Sequence, residues 1–439
     1  MNRFLLSILT LGLLVTQATA QTFQKAKLDS FFQALEKHDR FIGTINIEQQ
    51  GKNIYSRSLG FADLEHQKKA TETTEYRIGS ISKTFTAVLV LQAVEEGKLT
   101  LDQHIDTFFP NLLNADTISI RQLLQHKSGI NNFTNRADYL SWIDQEKSRE
   151  QLLQIIAEGG SDFTPGSKTA YSNSNFVLLT FILETSYGKP YSELLKSKIA
   201  DKAGLEHTFV GGTIDTEKGQ AKSYRYQSGW KLMPETNMSI PRGAGAVVST
   251  AADLVKFSNA LFGGKLLRPE SVEMMKGLDK GFGLGIMRIP FFEKTGYGHG
   301  GSIDGFASML VHFADGDITY AAISNGSAID MNEVTIAALS TLFGRPITIP
   351  VFSDYKVSDE ELEQYTGNYS SKDIALKIKV TKVDGVLMAQ ATGQAAFPLE
   401  ATAAHQFKFD TAKIRMDFDP VKQTMTLLQG GRTYNYTRE

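Results

Sequence analysis

A serine three residues ahead of a lysine places a hydroxyl and an amine on one helical face, about one turn apart. The amine can take the serine's proton if burial and the positive end of the helix lower its pKa. The chain contains four such pairs, Ser80/Lys83, Ser186/Lys189, Ser228/Lys231 and Ser353/Lys356. Gly188 and Pro190 break up the second, Gly229 interrupts the third, and Ser353 falls in a Pro-containing stretch that reads as a linker. Only Ser80 opens a buried helix, in Arg77-Ile78-Gly79-Ser80-Ile81-Ser82-Lys83-Thr84-Phe85. From Thr84 to Glu96 this helix is apolar nearly all round, and Gly97 sits where a helix end favours a left-handed residue. A capping serine beside a solvated lysine would suit a helix with a polar face, which this one lacks. Ser80 therefore reads as a nucleophile and Lys83 as its proton partner.

Tyr171-Ser172-Asn173 follows the turn Phe163-Thr164-Pro165-Gly166, which can present it on a loop. A phenol can relay the serine proton to a leaving group, and a side-chain amide can hold a substrate carbonyl. On its own Tyr171 would read as a structural tyrosine. With Ser80 and Lys83, these residues make the chain resemble the serine-reactive penicillin-binding family. The branch in question holds class C β-lactamases, D-Ala-D-Ala carboxypeptidase-like D,D-peptidases, D-aminopeptidases and related esterases. The resemblance spans about residues 25 to 343. It includes Phe41-x-Gly43-Thr44, the run Arg121–Gly129, Phe163-x-Pro165-Gly166 and the run Gly243–Thr250. It implies an acyl-enzyme on Ser80, with Lys83 as its partner and Tyr171 and Asn173 as the second motif.

The family's third motif has two candidates. Lys294-Thr295-Gly296 spells one form and His299-Gly300-Gly301 a variant. In the family the motif runs through a small polar residue into Gly-Phe and a strand. His299-Gly300-Gly301-Ser302-Ile303-Asp304-Gly305-Phe306 keeps that spacing, whereas a start at Lys294 puts Gly301 where phenylalanine belongs. Lys294-Thr295-Gly296 is therefore expected to be a coincidental loop. On this register the resemblance implies an oxyanion hole built from the backbone N–H groups of Ser80 and Ser302. His299 and Gly301 would shape the substrate site. A neutral imidazole attracts a substrate carboxylate less than an ammonium does, and Gly300 lacks a hydroxyl. That leaves room for esters or amides without a free carboxylate beside D-amino-acid peptides and β-lactams. Arg288 is expected to be a solvated surface residue and His126 a structural residue at a helix end. A catalytically silent cell-wall or ligand receptor with the same fold is the alternative reading.

These residues need a scaffold, and its elements are legible. Phe23 to His38 has helical spacing, Phe41 to Ile47 alternates as a strand, and Gly51-Lys52-Asn53 is the turn to a second strand at Ile54–Leu59. Met309–Phe313 and Ile318–Ser324 read as paired strands, and 331–343 as a closing helix. The expected fold is α/β (α+β), β-lactamase/transpeptidase-like: an antiparallel sheet flanked by helices, plus an all-helical region. After a linker at 346–360 the pattern turns to period two, in Ile374, Leu376, Ile378 and Val380 and again in Ile414, Met416 and Phe418. Asp384-Gly385 and Gly430-Gly431 mark hairpin turns. Residues 361–439 are expected to form a small all-β barrel, and Tyr365-x-Gly367-x-Tyr369 resembles the start of a lipocalin-like domain. The catalytic unit occupies 21–345.

Residues 1–20 read as a signal peptide: Arg3, an apolar run from Phe4 to Val15, then Ala18-Thr19-Ala20 ahead of Gln21. Cleavage would leave a mature start at Gln21 and a periplasmic or secreted protein without a membrane anchor. The net charge of −2, from 46 basic and 48 acidic residues, gives no reason to expect nucleic acid as a partner. With no cysteine, the chain can make neither disulfides nor thiolate sites. Its eight histidines lack ligand spacing, so neither metal nor cofactor is expected. The expected partner is a small-molecule or peptide substrate, with peptidoglycan fragments among the candidates.

Overall fold

The computed structural model describes residues 23–227, 229–277, 281–353, 355–383, 385–409 and 412–439. The expected signal peptide, Ser228 and Asp384 lie outside the described residues.

The central sheet has six antiparallel strands. Their order is Met287–Phe291, Lys294–Ile303, Phe306–Phe313, Ile318–Ser327, Phe41–Gln49 and Lys52–Leu59. The N-terminal hairpin thus zips onto the last strand of a meander about 270 to 286 residues later, from Phe41 opposite Ser327 to Gln49 opposite Ile318. One face is covered by the helices Lys25–Lys37 and Met331–Leu342. Leu28, Phe32 and Leu35 meet Tyr320, Val334 and Leu339 there in one buried cluster. The other face carries the helix Ala251–Phe262 and, beyond it, the helical region.

At the centre of that region lies the helix Ser82–Glu95, buried from Ser82 to Ala93. Its lack of a polar face follows from this position, because it meets protein on every side. Phe85 stacks on Phe257 at 3.7 Å, and Gly97 closes the end of the helix at φ 69°. The helix Asn173–Tyr187 packs beside it and stops at Gly188, which is left-handed, with Pro190 just beyond. A short three-stranded sheet, with Val247–Ser249 between Tyr76–Arg77 and Phe209–Val210, aims the chain into the Ser80 turn.

Eight further strands, from Gly367–Ser371 to Arg432–Arg438, form a closed antiparallel barrel. Its interior is filled: Tyr365, Tyr369, Phe407 and Phe418 pack with ring centroids 5.0–5.8 Å apart.

Several local expectations need correcting. Lys294-Thr295-Gly296 is not a loop but the start of the strand Lys294–Ile303, because it pairs with Met287–Phe291. The first hairpin turns at Gln50-Gly51, and Lys52 and Asn53 already belong to the second strand. Ile374 and Leu376 precede the strand that starts at Ile378. The run Gly243–Thr250 is a helical turn, Arg242–Ala244, followed by a strand rather than a single loop. The expected linker contains the start of a short helix, Asp359–Glu363, capped by Ser358.

Candidate functional site

Ser80 sits in a single 3-10 turn, Gly79–Ile81, that feeds the helix Ser82–Glu95. Ser82 Oγ accepts from Val247 N at 3.0 Å, tying the start of the helix to the central strand of the small sheet. One turn further, Lys83 is fully buried. Its Nζ lies 2.9 Å from Ser80 Oγ, 2.8 Å from Asn173 Oδ1 and 2.7 Å from Ala244 O. Among the described residues no carboxylate pairs with it, and burial alone holds its pKa well below the usual lysine value. The three contacts suit a neutral amine. Two N–H groups go to the amide and carbonyl oxygens, neither of which can donate, and the lone pair is left for the Ser80 hydroxyl.

Tyr171 closes the other side of Ser80, donating its hydroxyl to Ser80 Oγ at 2.7 Å. Burial pushes its pKa up to about 12, partly offset by this hydrogen bond, so the phenol keeps its proton. It ends the loop just before the helix Asn173–Tyr187, of which Asn173 is the first residue. Asn173 is held at both ends: its N donates to Asn132 Oδ1 at 3.0 Å and its Nδ2 to Thr134 Oγ1 at 3.1 Å.

The strand Lys294–Ile303 forms the opposite wall. His299 is buried, with its ring centroid 6.4 Å from that of Tyr171. Its pKa is held down to about 4, by burial first and then by repulsion from Lys83 when that amine is protonated, so it is neutral at pH 7. Gly301 and Gly79 let two backbones touch. A Cβ on Gly301 would lie 2.1 Å from Ile78 O, and one on Gly79, at φ 51°, would lie 2.7 Å from Ser302 N. Those contacts bring the main chain around Ser80 against that of Ser302. Ser308 Oγ, on the next strand, adds a hydrogen bond to Ile78 O at 2.9 Å.

A buried ion pair pins the same two segments. Arg77 Nη1 meets Asp304 Oδ2 at 2.7 Å, with side chains 2% and 1% exposed. Arg77 also donates to Gly212 O, Thr236 O and Glu235, and Asp304 accepts from Thr236 N and Oγ1. The pair ties the residue three before Ser80 to the residue two after Ser302.

The structure thus brings Ser80, Lys83, Tyr171, Asn173, His299, Gly301 and Ser302 together. It separates the decoys from them. Lys294 pairs with Asp315, and Arg288 is exposed on the strand Met287–Phe291. His126 stands just past the helix Ile120–Leu124, but its role is closer to the site than a helix end suggests. Its Nδ1 accepts from Ser172 N at 3.1 Å and its ring lies 4.4 Å from that of Tyr171. Sequence reasoning missed Ala244, Asn132, Thr134 and the Arg77–Asp304 pair. Ala244 acts through its main chain, which leaves no mark in residue type. Asn132 had a faint signal in its place just after the Ser128-Gly129 turn. Among the described residues no group of three His, Asp or Glu side chains is placed to hold a metal ion. No helix among them is long and apolar enough to cross a membrane.

Comparison with known proteins shows what the chain as a whole is similar to. A penicillin-binding protein of Bacillus subtilis (strain 168) is 26% identical over 431 residues, covering 90% of this chain and 94% of that protein. Teichoic acid D-alanine hydrolase of Staphylococcus aureus is 28% identical over 245 residues, 56% of this chain and 59% of that protein. The solved structure of D-amino acid amidase from Ochrobactrum anthropi SV3, complexed with L-phenylalanine amide, superposes with a TM-score of 0.64 at 25% identity. It covers 73% of this chain and 98% of that one. The Beta-lactamase family model matches residues 28–342, more than half of the sequence. The chain belongs to the beta-lactamase family of serine hydrolases.

Proposed function

We propose that the protein hydrolyses amides or esters through an acyl-enzyme on Ser80. The observation that carries this reading is Ser80 Oγ standing between the Lys83 amine, at 2.9 Å, and the Tyr171 hydroxyl, at 2.7 Å. Neutral Lys83 takes the hydroxyl proton as Oγ attacks the carbonyl carbon. The backbone N–H groups of Ser80 and Ser302 receive the oxygen as it becomes an anion. Tyr171 gives its proton to the departing nitrogen or oxygen and is restored by the proton on Lys83. The serine proton thus ends on the leaving group, and both side chains return to their starting state. Water then attacks the ester by the same route in reverse. Asn173 orients the substrate, and His299 and Gly301 shape the wall facing it.

The substrate class follows from charge. His299 presents a neutral imidazole, so this wall offers a substrate carboxylate no formal cation. The reading favours substrates whose leaving-group side carries no carboxylate, as in D-aminoacyl amides and esters, over peptides ending in a free carboxylate and over β-lactams. The D-amino acid amidase and the D-alanine hydrolase among the similar proteins support this direction. Peptidoglycan or related wall fragments fit as a source of D-amino acids. The leader pattern in residues 1–20 supports a periplasmic or secreted location with a mature start at Gln21. The amino-terminal mass of protein recovered from the exported fraction checks that start.

Ser80→Ala is expected to abolish the covalent adduct that a fluorophosphonate leaves, as read by mass spectrometry. Hydrolysis should fall by about 10⁴-fold or more; substantial remaining turnover would falsify the acyl-enzyme. Activity should rise with pH as Lys83 loses its proton, because only the neutral amine accepts one. The acid limb of kcat/KM should lie well below the ordinary lysine pKa of about 10.4, and its absence would remove Lys83 as the base. His299→Lys should raise kcat/KM for a D-Ala-D-Ala peptide relative to a D-alanine amide by about tenfold. An unchanged ratio in parallel assays would show that position 299 does not read the carboxylate.

A further inference from the structure

The barrel interior holds a buried apolar cluster, and its outer surface carries the contact with the catalytic unit. One face meets the catalytic unit through Glu400, on the strand Phe397–Ala403. Glu400 Oε1 accepts from Arg40 Nη2 at 3.0 Å and from Ser353 N at 3.2 Å, and Lys408 Nζ stands 3.7 Å from its other oxygen. The side chains of Arg40 and Glu400 are only 17% and 25% exposed. The Arg40 guanidinium lies between two rings, 4.7 Å from the centre of Tyr226 and 5.2 Å from that of Phe352.

Tyr226 leads from this node to the candidate site. It ends the strand Tyr224–Tyr226, which pairs with Trp230–Leu232 in a hairpin, and its ring meets Trp230 edge-on at 5.1 Å. The base of the hairpin is pressed against the turn that follows Ser302. Ser223 Oγ accepts from Gly305 N at 3.0 Å, and a Cβ on Gly305 would lie 2.8 Å from Tyr224 O. Thr236, just past the hairpin, holds Asp304 with two hydrogen bonds of 3.0 and 2.6 Å. The hairpin is therefore wedged between the barrel contact and the Asp304-Gly305 turn, which begins two residues after Ser302.

We infer that the barrel is a positioning element for this turn. Glu400 anchors Arg40, the Arg40 side chain seats Tyr226, and the hairpin holds the Asp304-Gly305 turn at its distance from the Ser80 turn. Arg40 and Glu400 are positioning residues and touch no substrate. The inference rests on the reading that Ser302 N–H receives the substrate oxygen.

The test uses the full chain carrying Trp142→Phe, so that Trp230 is the single emitting tryptophan of the two present. Single-turnover acylation by p-nitrophenyl acetate is compared among this parent, Glu400→Ala, Arg40→Met and both together, with Lys382→Ala on the barrel surface as control. Each single variant should slow acylation about tenfold, because small misplacements of an aligned group carry large rate penalties. Apparent ester binding should stay within about twofold, Trp230 emission should shift, and the double variant should be no slower than either single one. The control should match the parent. Parental acylation and parental emission in both single variants would overturn the inference. Should Glu400→Ala fail to fold, Arg40→Met decides, since it removes the guanidinium that links Glu400 to Tyr226 and keeps an unbranched apolar stem; a parental rate with parental emission there also overturns it. A parent that forms no Ser80 adduct would instead overturn the proposed function, while the Trp230 response would still report the link between barrel and hairpin.

Discussion

A buried lysine amine with no carboxylate partner among the described residues is the constraint around which the catalytic unit is built. An ammonium at Lys83 would need compensation that the site does not provide, so the neutral form is favoured, and that form is the proton acceptor the chemistry requires. Keeping it so demands protein on every side. This is why the helix Ser82–Glu95 has no polar face and why the Arg242–Ala244 turn is pressed against it, offering one carbonyl. Each pKa unit of depression corresponds to about 1.4 kcal/mol, which the surrounding core must offset. The stacked Phe85 and Phe257 and the apolar helix Asn173–Tyr187 belong to that core.

A second requirement is that two backbones distant in sequence meet at Ser80. The sheet achieves this only because the N-terminal hairpin closes on Ile318–Ser327, fixing where the strand Lys294–Ile303 runs. Glycines at 79 and 301 permit the approach, and the Arg77–Asp304 pair sets its distance. Removing Arg77 would leave the buried Asp304 charge without its cation, at about 3–5 kcal/mol, whereas Arg77 keeps Glu235 when Asp304 is lost. The pair is thus better understood as a fixed spacer than as a source of net stability.

How much of this could be read in the sequence depended on distance along the chain. Ser80 and Lys83 stand one helical turn apart, and Tyr171 and Asn173 straddle the start of one helix, so local spacing sufficed to mark them. His299 emerged because Gly-Phe and an alternating strand follow it in register. What escaped were relations that span the chain or run through the backbone. Arg77 and Asp304 are 227 residues apart, and each alone is an ordinary charged residue. The carbonyl of Ala244 has no side-chain signature. His126 was visible as a residue, but that its ring lies against Tyr171 depends on how the Gly129 turn folds back. The barrel shows the same limit, since period-two alternation describes a filled barrel and a hollow one equally well; only the aromatic side chains of Tyr365, Phe407 and Phe418 settle which it is.

The imidazole at position 299 also bears on Lys83 itself. An ammonium there would repel a proton on Lys83 and help to keep the amine neutral. A neutral histidine supplies no such push, so the depression at Lys83 has to come from burial, and burial is its cause here. Three bases share this region: Lys83 and His299 disfavour a proton on His126, and Lys83 disfavours one on His299. The two imidazoles remain uncharged, so the one proton that moves in the reaction finds its place on Lys83 without a competing cation. Losing a fixed charge at 299 therefore removes a handle for substrate carboxylates and leaves proton transfer intact, provided the helix around Lys83 stays dry. The apolar packing from Thr84 to Ala93 supplies that dryness.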